Sequence, residues 1–317
     1  AETLLSEAYK LRIELHGPQS DKVAFAANEW ASVLQDMGRY PAAQRLYETA
    51  INIDSLLTGS RTVAHAIRFN NLASLFEDMG DYSAAETHYR TSLAIRSMYL
   101  KAGDVALARA HYNLGKLLLK RNSLREAEIE LSTALRLREA KLDGMHQDIF
   151  DARLMMAELA VCKHDLGAAQ ENIAIAKKAL DTVRPNRKIA FIRLDALVKE
   201  AQGDLTNALA LWEQRAMETH QLNGEQHPYT LIAKLDWADA LAKTGDTDKA
   251  QALAAVLKPA LTKVLAAQAP QLDRVANLLN LAPGMTASDR SDTTSSAATA
   301  APAAPANLTT KPIVSTR

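Results

Sequence analysis

Residues 70–96 read NNLASLFEDMGDYSAAETHYRTSLAIR, and in this stretch two helix-forming segments flank the turn Gly80-Asp81-Tyr82. Glycines recur every 21 residues on either side of it, at Gly17, Gly38, Gly59 and Gly80 and again at Gly203, Gly224 and Gly245. Glycine readily adopts the left-handed conformation that ends helices. The regular spacing therefore predicts helices of similar length separated by short turns.

The structural unit is two helices long, because the turn sequence itself returns only after about 42 residues. Equivalent turns start at Gly38, Gly80, Asn122, His164, Gly203 and Gly245, in steps of 42 except for one step of 39. Seven residues before each turn stands a small residue, namely Ala31, Ala73, Gly115, Ala157, Ala196 and Ala238. Small residues at fixed places let two helices approach closely. The sequence therefore predicts about six helix pairs.

This pattern resembles the long, kinesin light chain type of tetratricopeptide repeat (TPR). The resemblance is carried by residues 70–96 and by the loop Gly224-Glu225-Gln226-His227-Pro228-Tyr229-Thr230, with a weaker echo at residues 146–149. It covers roughly residues 1–260. It implies an all-α, right-handed TPR superhelix, or α-solenoid, of about six helix-turn-helix repeats, and it says little about partners.

The repeat register predicts a domain organisation. Ala1 lies 42 residues before Ala43, so the chain starts at the second helix of a truncated repeat, and we expect a longer protein. Pro259 either kinks the last second helix or starts a new one. The segments are a second helix at 1–20, repeats at about 21–62, 63–104, 105–146, 147–186, 187–226 and 227–260, capping helices at 260–282, and a disordered Ala/Pro/Ser/Thr tail at 283–317.

Composition and motifs exclude several functional classes. Lys and Arg total 37 and Asp and Glu total 37, so the chain lacks the excess positive charge that nucleic-acid binding requires. No apolar run is long enough for a membrane span, and Cys162 is a single cysteine, which we expect to be buried or half-buried. Phosphate loops, nucleophile elbows and helical metal motifs are absent from the sequence, and we expect His65 and His111 to be exposed or capping. We therefore expect no catalytic residue, no cofactor and no metal.

The resemblance places a peptide-binding groove on the concave wall formed by the first helices. In the TPR family an asparagine two residues before the small residue grips the backbone of an extended peptide. The candidate groove residues here are Asn28, Asn70, Asn71, Asn113, Ser74, Lys116 and Arg109. The alternative is that the asparagines only bridge neighbouring repeats.

The charge of the partner stays open at this point. Asp36, Glu77 and Asp78 could form an acidic rim that prefers basic peptides. The basic residues Arg68, Arg109, Lys116 and Lys120 could equally form a clamp for acidic peptides.

These observations predict a non-catalytic protein-interaction scaffold whose partner is a protein or an extended peptide. Arginine-bearing second helices such as residues 134–139 (ALRLRE) resemble the regions that follow Ser/Thr kinase domains in bacteria, which implies recruitment or sensing for such a kinase. The alternatives are a stand-alone adaptor and a homo-oligomerisation scaffold, with self-association through the truncated N-terminal repeat. The cytoplasm is the favoured compartment, with the periplasm as the alternative if a membrane-spanning segment precedes Ala1.

Overall fold

The chain winds into an all-α, right-handed TPR superhelix, which confirms the predicted fold class. The structure is a computed structural model that describes residues 2–58, 62–267 and 269–281. Over these ranges the chain forms 14 helices and no strand. Gly59 and the tail predicted to be disordered at 283–317 lie outside the described residues.

Six helix pairs follow one N-terminal helix and precede one C-terminal helix. The helices are α1 (Glu2–His16), α2 (Asp21–Asp36), α3 (Tyr40–Thr58), α4 (Val63–Met79), α5 (Tyr82–Tyr99), α6 (Val105–Lys120), α7 (Leu124–Glu139), α8 (Gln147–Cys162), α9 (Leu166–Lys177), α10 (Pro185–Ala201), α11 (Leu205–Asn223), α12 (Pro228–Lys243), α13 (Thr247–Val264) and α14 (Pro270–Leu279). The first helices of the pairs are the even-numbered helices α2 to α12.

The six equivalent turns share one backbone conformation, as their 42-residue spacing predicts. All six have positive φ: Gly38, Gly80, Gly203 and Gly245, together with Asn122 at 59° and His164 at 60°. Asparagine tolerates the left-handed region because its short side chain bonds locally. The turn is therefore set by the repeat geometry, and glycine is the usual but not the obligatory residue there.

In all but the last helix pair, the small residue of the first helix has a large residue opposite it on the second helix. A Cβ atom at Gly115 would come within 2.8 Å of Leu131 Cγ, closer than packed atoms approach. The alanines that take its place in the other five pairs are fully buried. Tyr47 and Tyr89, which occupy the position of Leu131, are also buried. The small-against-large pairing therefore recurs in five of the six helix pairs, whereas α12–α13 has Ala254 opposite Ala238.

Three details depart from the expectations. The repeat that is three residues short takes up the difference in α9, which has 12 residues. Helix α13 continues through Pro259 to Val264, so the boundary predicted at residue 260 lies inside a helix. Ala255, whose carbonyl the missing amide of Pro259 leaves unbonded, is exposed and can be solvated. Cys162 is exposed and not buried, because it ends α8 at the turn.

The superhelix returns upon itself, so that its last helices touch its first repeats. Ala266, just after α13, donates its amide to the carbonyl of Met79 over 2.8 Å. The His227 ring bonds the carbonyl of Asp36 at the end of α2 over 2.6 Å. A nearly closed ring results, and the even-numbered helices face its interior.

Replacing His164 by glycine should stabilise the protein. A left-handed conformation costs a residue with a Cβ atom about 1–2 kcal/mol, and the substitution removes this cost. The greater freedom of glycine in the unfolded chain offsets part of the stabilisation. We expect a net gain of about 0.5–1 kcal/mol, measured as a shift in the urea midpoint. Asn122→Gly is the matched control, with a smaller gain because asparagine tolerates this conformation. Equal shifts in the two variants would contradict this account.

Candidate functional site

The predicted groove asparagines bond to each other across neighbouring repeats. The Asn71 amide donates to Asn28 Oδ1 over 3.0 Å, and the Asn113 amide donates to Asn70 Oδ1 over 2.9 Å. Asn28 and Asn70 are buried, whereas Asn71 and Asn113 are partly exposed. The bridging role considered from the sequence is therefore present, although it joins two side chains and not a side chain to the backbone.

The other three predicted groove residues lie in different environments. Ser74 accepts a hydrogen bond of 3.3 Å from the Gln35 amide, which joins α2 to α4. Lys116 Nζ lies 3.1 Å from Glu77 Oε1 and lines the cavity described below. Arg109 is exposed near the start of α6. The seven residues thus follow one face of the array but do not meet in one pocket.

In three helix pairs, the residue four positions after the small residue is polar and accepts a hydrogen bond from an aromatic side chain of the second helix. Tyr47 Oη donates to Gln35 Oε1 over 3.0 Å, and Tyr89 Oη donates to Glu77 Oε2 over 2.9 Å. Trp212 Nε1 makes the equivalent bond to Glu200 over 2.7 Å. In the pairs α6–α7 and α8–α9 the same two places hold only apolar residues: Leu119 with Leu131, and Val161 with Ile173. The two positions change together because a buried polar atom without a partner is costly.

The same polar residues also bond the next repeat, 43 positions along the chain. Gln35 Nε2 donates to Asp78 Oδ2 over 2.7 Å, and Lys120 Nζ donates to Glu77 Oε1 over 2.7 Å. Glu77 of the predicted acidic rim therefore pairs with Lys116 and Lys120 of the predicted basic clamp, and the opposite charges neutralise each other there. Arg68 is paired with Asp54 between α3 and α4. Asp36 of the rim and Arg109 of the clamp are exposed, so the two sets of charges pair at Glu77 but not along their whole length.

Glu77 stays ionised although it is buried. Burial alone would raise the pKa of this carboxyl, but the ammonium groups of Lys116 and Lys120 outweigh it and lower the pKa to about 2. The same contact raises the pKa of Lys116. Glu77 therefore links α4 to α6 as a permanent carboxylate at neutral pH.

An elongated cavity lies inside the ring, and its walls come from the first helices together with α11 and α14. It has two regions of about 750 and 530 Å³, which share the lining residues Lys116, Arg193, Arg215, Tyr229 and Ile232. The outer region extends to Arg184 and Asn223. The inner region extends to Tyr82 and Gln271. These volumes are in the range of sites that enclose a ligand of drug size.

Ion pairs fix the walls of the inner region. Arg193 holds Glu158 with two bonds of 2.8 and 2.6 Å, and Arg274 Nη2 lies 2.6 Å from Asp236 Oδ1. Arg215 also pairs with Asp236. Burial alone would raise the pKa of Asp236, but the two guanidinium groups lower it to about 2. Paired arginines of this kind present fixed donors to the cavity.

The cavity carries both signs of charge in nearly equal number. The acids that line its inner region are Glu77, Asp78, Glu158 and Asp236, and the bases are Lys116, Lys120, Arg193, Arg215 and Arg274. Four acids against five bases leave little net charge. Apolar surface comes from Leu119, Met155 and Ile232. The cavity therefore offers several hydrogen-bonding groups and apolar patches to one ligand.

Sequence reasoning missed the C-terminal half of this site. Met155 and Asp236 occupy the register of Asn71 and Asn113, and Glu158 occupies that of Ser74 and Lys116. None of the three is among the groove residues predicted from the sequence. The sequence did contain a signal. Glu158 on α8 and Asp236 on α12 are charged, and each occupies a repeat position that faces the same side of the array as the predicted groove residues.

His65 is a correction, because it is 0% exposed and was expected to be exposed or capping. Its Nε2 atom lies 3.1 Å from Ser55 Oγ, and burial lowers its pKa. His227 does cap a helix, since its Nδ1 accepts the Tyr229 amide at the start of α12. Within residues 2–58, 62–267 and 269–281 no three His, Cys, Asp or Glu side chains converge as a metal site. Among these residues no helix has the length and apolar character of a membrane span.

Comparison with known proteins relates the chain to TPR proteins. A tetratricopeptide-repeat family profile matches residues 62–140, which comprise α4 to α7. No curated protein matches the sequence.

BtubC and a Rap protein, both solved structures, share this fold at low identity. BtubC (BKLC) from P. vanneervenii has 18% identity and a TM-score of 0.53, covering 70% of this chain and 89% of that one. A Rap protein complexed with Competence and Sporulation Factor has 14% identity and a TM-score of 0.55, covering 87% and 85%. The nearly identical TPR-like repeats of a putative kinesin light chain from Podosopora anserina have 16% identity and a TM-score of 0.42, covering 78% and 98%.

Replacing Glu77 by glutamine should destabilise the array by about 1–3 kcal/mol, because the variant leaves Lys116 and Lys120 without a carboxylate. Glu128→Gln is the control, since its partner Lys163 is exposed and the pair is worth about 0.5 kcal/mol or less. Denaturant unfolding at pH 7 measures both. Equal effects in the two variants would contradict the importance of the buried group.

The Glu77 contribution should also depend on pH. The folded pKa of about 2 lies below the ordinary value of 4.5, so the stabilisation is complete above pH 4.5 and is lost as the pH falls towards 2. Unfolding measured from pH 2 to pH 7 should show the wild-type advantage over Glu77→Gln shrinking in that window. A constant difference over the whole range would show that Glu77 is not held ionised.

Proposed function

We propose that the chain is a non-catalytic interaction scaffold that binds an extended segment of a partner protein, or a free peptide, in the cavity of the ring. The observation that carries this proposal is the elongated, mixed-charge cavity lined by the first helices. Its two regions meet at Lys116, Arg193 and Ile232. An elongated site suits a chain-like ligand more than a compact one.

The walls of the cavity suit a peptide in chemistry as well as in shape. A peptide carries an amide donor and a carbonyl acceptor at every residue, with side chains of varied polarity. Paired arginines and carboxylates around the inner region are held in place before a ligand arrives, which lowers the entropy cost of binding. The near balance of charge favours a segment of low net charge.

A solved structure of this fold supports the same idea. The Rap protein with a TM-score of 0.55 to this chain was determined in complex with Competence and Sporulation Factor. A solenoid of this fold can therefore hold a bound factor, although at 14% identity the likeness extends to the fold alone.

The asparagine pairs take a supporting part in this proposal. By joining α2 to α4 and α4 to α6, they set the spacing of the helices that lead into the cavity wall. Association with an upstream bacterial Ser/Thr kinase domain stays a prediction. It is tested by reading the coding sequence that precedes Ala1 for a kinase domain.

A second candidate function is self-association through α1. Leu11 is 53% exposed, whereas Ile53, its equivalent one repeat later, is 6% exposed because it belongs to an apolar cluster with Val23, Ala24 and Ala27 of α2. Leu4 and Leu15 are also exposed on α1. A second copy of the chain would bury this apolar face.

Filling the cavity should abolish peptide binding. A random peptide library displayed on phage is selected against the wild-type protein, and the recovered peptides are tested by calorimetry. We expect Ile232→Trp, which inserts a large ring where the two regions meet, to weaken binding by about tenfold or more, equal to about 1.4 kcal/mol. Ile232 lies on α12 among lining residues.

The matched control is Met217→Trp, which adds the same ring on the exposed surface of α11. It should bind the peptides as the wild type does. Selected peptides that bind Ile232→Trp and the wild type equally would place the binding site elsewhere. Failure to select any peptide for the wild type would refute the proposed function.

Self-association should be visible as a mass that rises with concentration in light scattering. Leu11→Lys combined with Leu15→Lys should keep the chain monomeric, because two ammonium groups cannot be buried in an apolar interface without a large cost. A wild-type protein that stays monomeric at high concentration would rule out this second function.

A further inference from the structure

The contact between the two ends of the array differs from the contacts between neighbouring repeats. Tyr229 Oη donates to Asp78 Oδ2 over 2.9 Å, although the two residues are 151 positions apart. Gln271 Nε2 donates to Tyr82 Oη over 3.2 Å across 189 positions. Repeat arrays are normally held together by nearest-neighbour contacts alone. We call this contact the seam and define it by residues 36–38, 78–82, 227–229, 266–267 and 269–271.

The seam is built for close approach. A Cβ atom at Gly80 would lie 2.5 Å from Ala269 Cβ and 3.0 Å from its Cα. A Cβ atom at Gly38 would lie 2.4 Å from Pro228 Cδ. The equivalent turn residues Asn122 and His164 carry side chains at positive φ. Glycine is therefore needed at 38 and 80 for the seam and not only for the turn.

The seam has little hydrophobic core of its own. The apolar cluster of α12–α14 and the cluster of α2–α4 share no residue among those described. What joins the two sides is a small set of hydrogen bonds at the ends of helices, including His227 to the carbonyl of Asp36. Polar contacts of this size open at much lower cost than a packed core does.

The residues of the seam also line the cavity. Asp78 and Tyr82 contribute from the N-terminal side, and Tyr229 and Gln271 contribute from the C-terminal side. Separation of the two sides would therefore remove one wall of the inner region. Opening of the seam and access to the cavity are one motion.

We propose that the seam is a reversible latch, which holds the ring closed and opens to admit large molecules to the cavity. One side of the latch consists of α12, Ala266, Ala269 and α14. The other side consists of the turns after α2 and α4. The inference concerns access to the cavity, and it stands whether or not the ligand is a peptide.

Gly80→Asn is the variant that tests the latch. It places a Cβ atom against the backbone of Ala269 while keeping a residue that tolerates positive φ. Gly203→Asn is the matched control, because Gly203 has φ of 79° against 81° for Gly80 and has no atom within 4 Å of its would-be Cβ. Circular dichroism first shows that both variants keep the helical content of the wild type.

The first readout is the distance across the seam. Spin labels are attached at Ser83→Cys and Asp273→Cys, both exposed, in a Cys162→Ser background. Double electron–electron resonance should give a short distance between the two labels for the wild type and for Gly203→Asn. For Gly80→Asn it should give a longer and broader distance distribution. An unchanged distribution in Gly80→Asn, or an equal change in Gly203→Asn, would overturn the latch.

The second readout is access to the cavity and needs no ligand. A single cysteine at Met155, which lines the inner region on α8, is reacted with a maleimide attached to a polyethylene glycol chain. Gly80→Asn should react about tenfold faster than the wild type, and Gly203→Asn should not. Equal rates in Gly80→Asn and the wild type would show that the seam does not control entry. Because no peptide is used, this result is independent of the library selection.

Discussion

The close approach of the two helices in each pair is the constraint on which the rest of the structure depends. It is set where a small residue of the first helix meets a large residue of the second, as Gly115 meets Leu131. Small residues at this place in all six first helices allow the same close approach in every pair, and in five pairs a large residue packs against them. The left-handed turns that follow are a consequence, since the chain must reverse within a few residues. Curvature of the array, and hence the ring, comes from repeating this one geometry.

Uniform helix pairs place one register of the first helices on the inner face of the ring. Side chains of neighbouring repeats then meet at an offset of 43 positions, which is one repeat plus one residue. Where one partner is polar, so is the other, because a buried polar group without a partner is costly. Charges on the inner face therefore pair with each other before they meet a ligand. The cavity gains fixed donors and acceptors without a strong net field.

The seam adds a second kind of contact to the array. Contacts between neighbouring repeats are extensive and apolar, whereas the seam consists of helix ends and few hydrogen bonds. The free energy needed to separate neighbouring repeats is therefore much larger than the free energy needed to open the seam. The stronger kind sets the shape of the ring, and the weaker kind decides whether the ring is closed. Under the proposed latch, a cavity with the weaker contact in its wall combines fixed donors and acceptors with a movable entrance.

The sequence by itself determined the repeat, the turns and the helix pairs. Glycine spacing and small residues such as Ala73 act within one repeat, and local periodicity records them directly. It also placed Lys116 on the inner face of the ring. It did not reveal that Lys116 and Lys120 meet Glu77, or that Asp236 and Glu158 line the same cavity, because partners lie one or more repeats apart. The seam was decided by the tertiary structure alone. Contacts across 151 to 191 positions depend on the small rotation of each repeat added over the whole array, and no local pattern of residues encodes that sum.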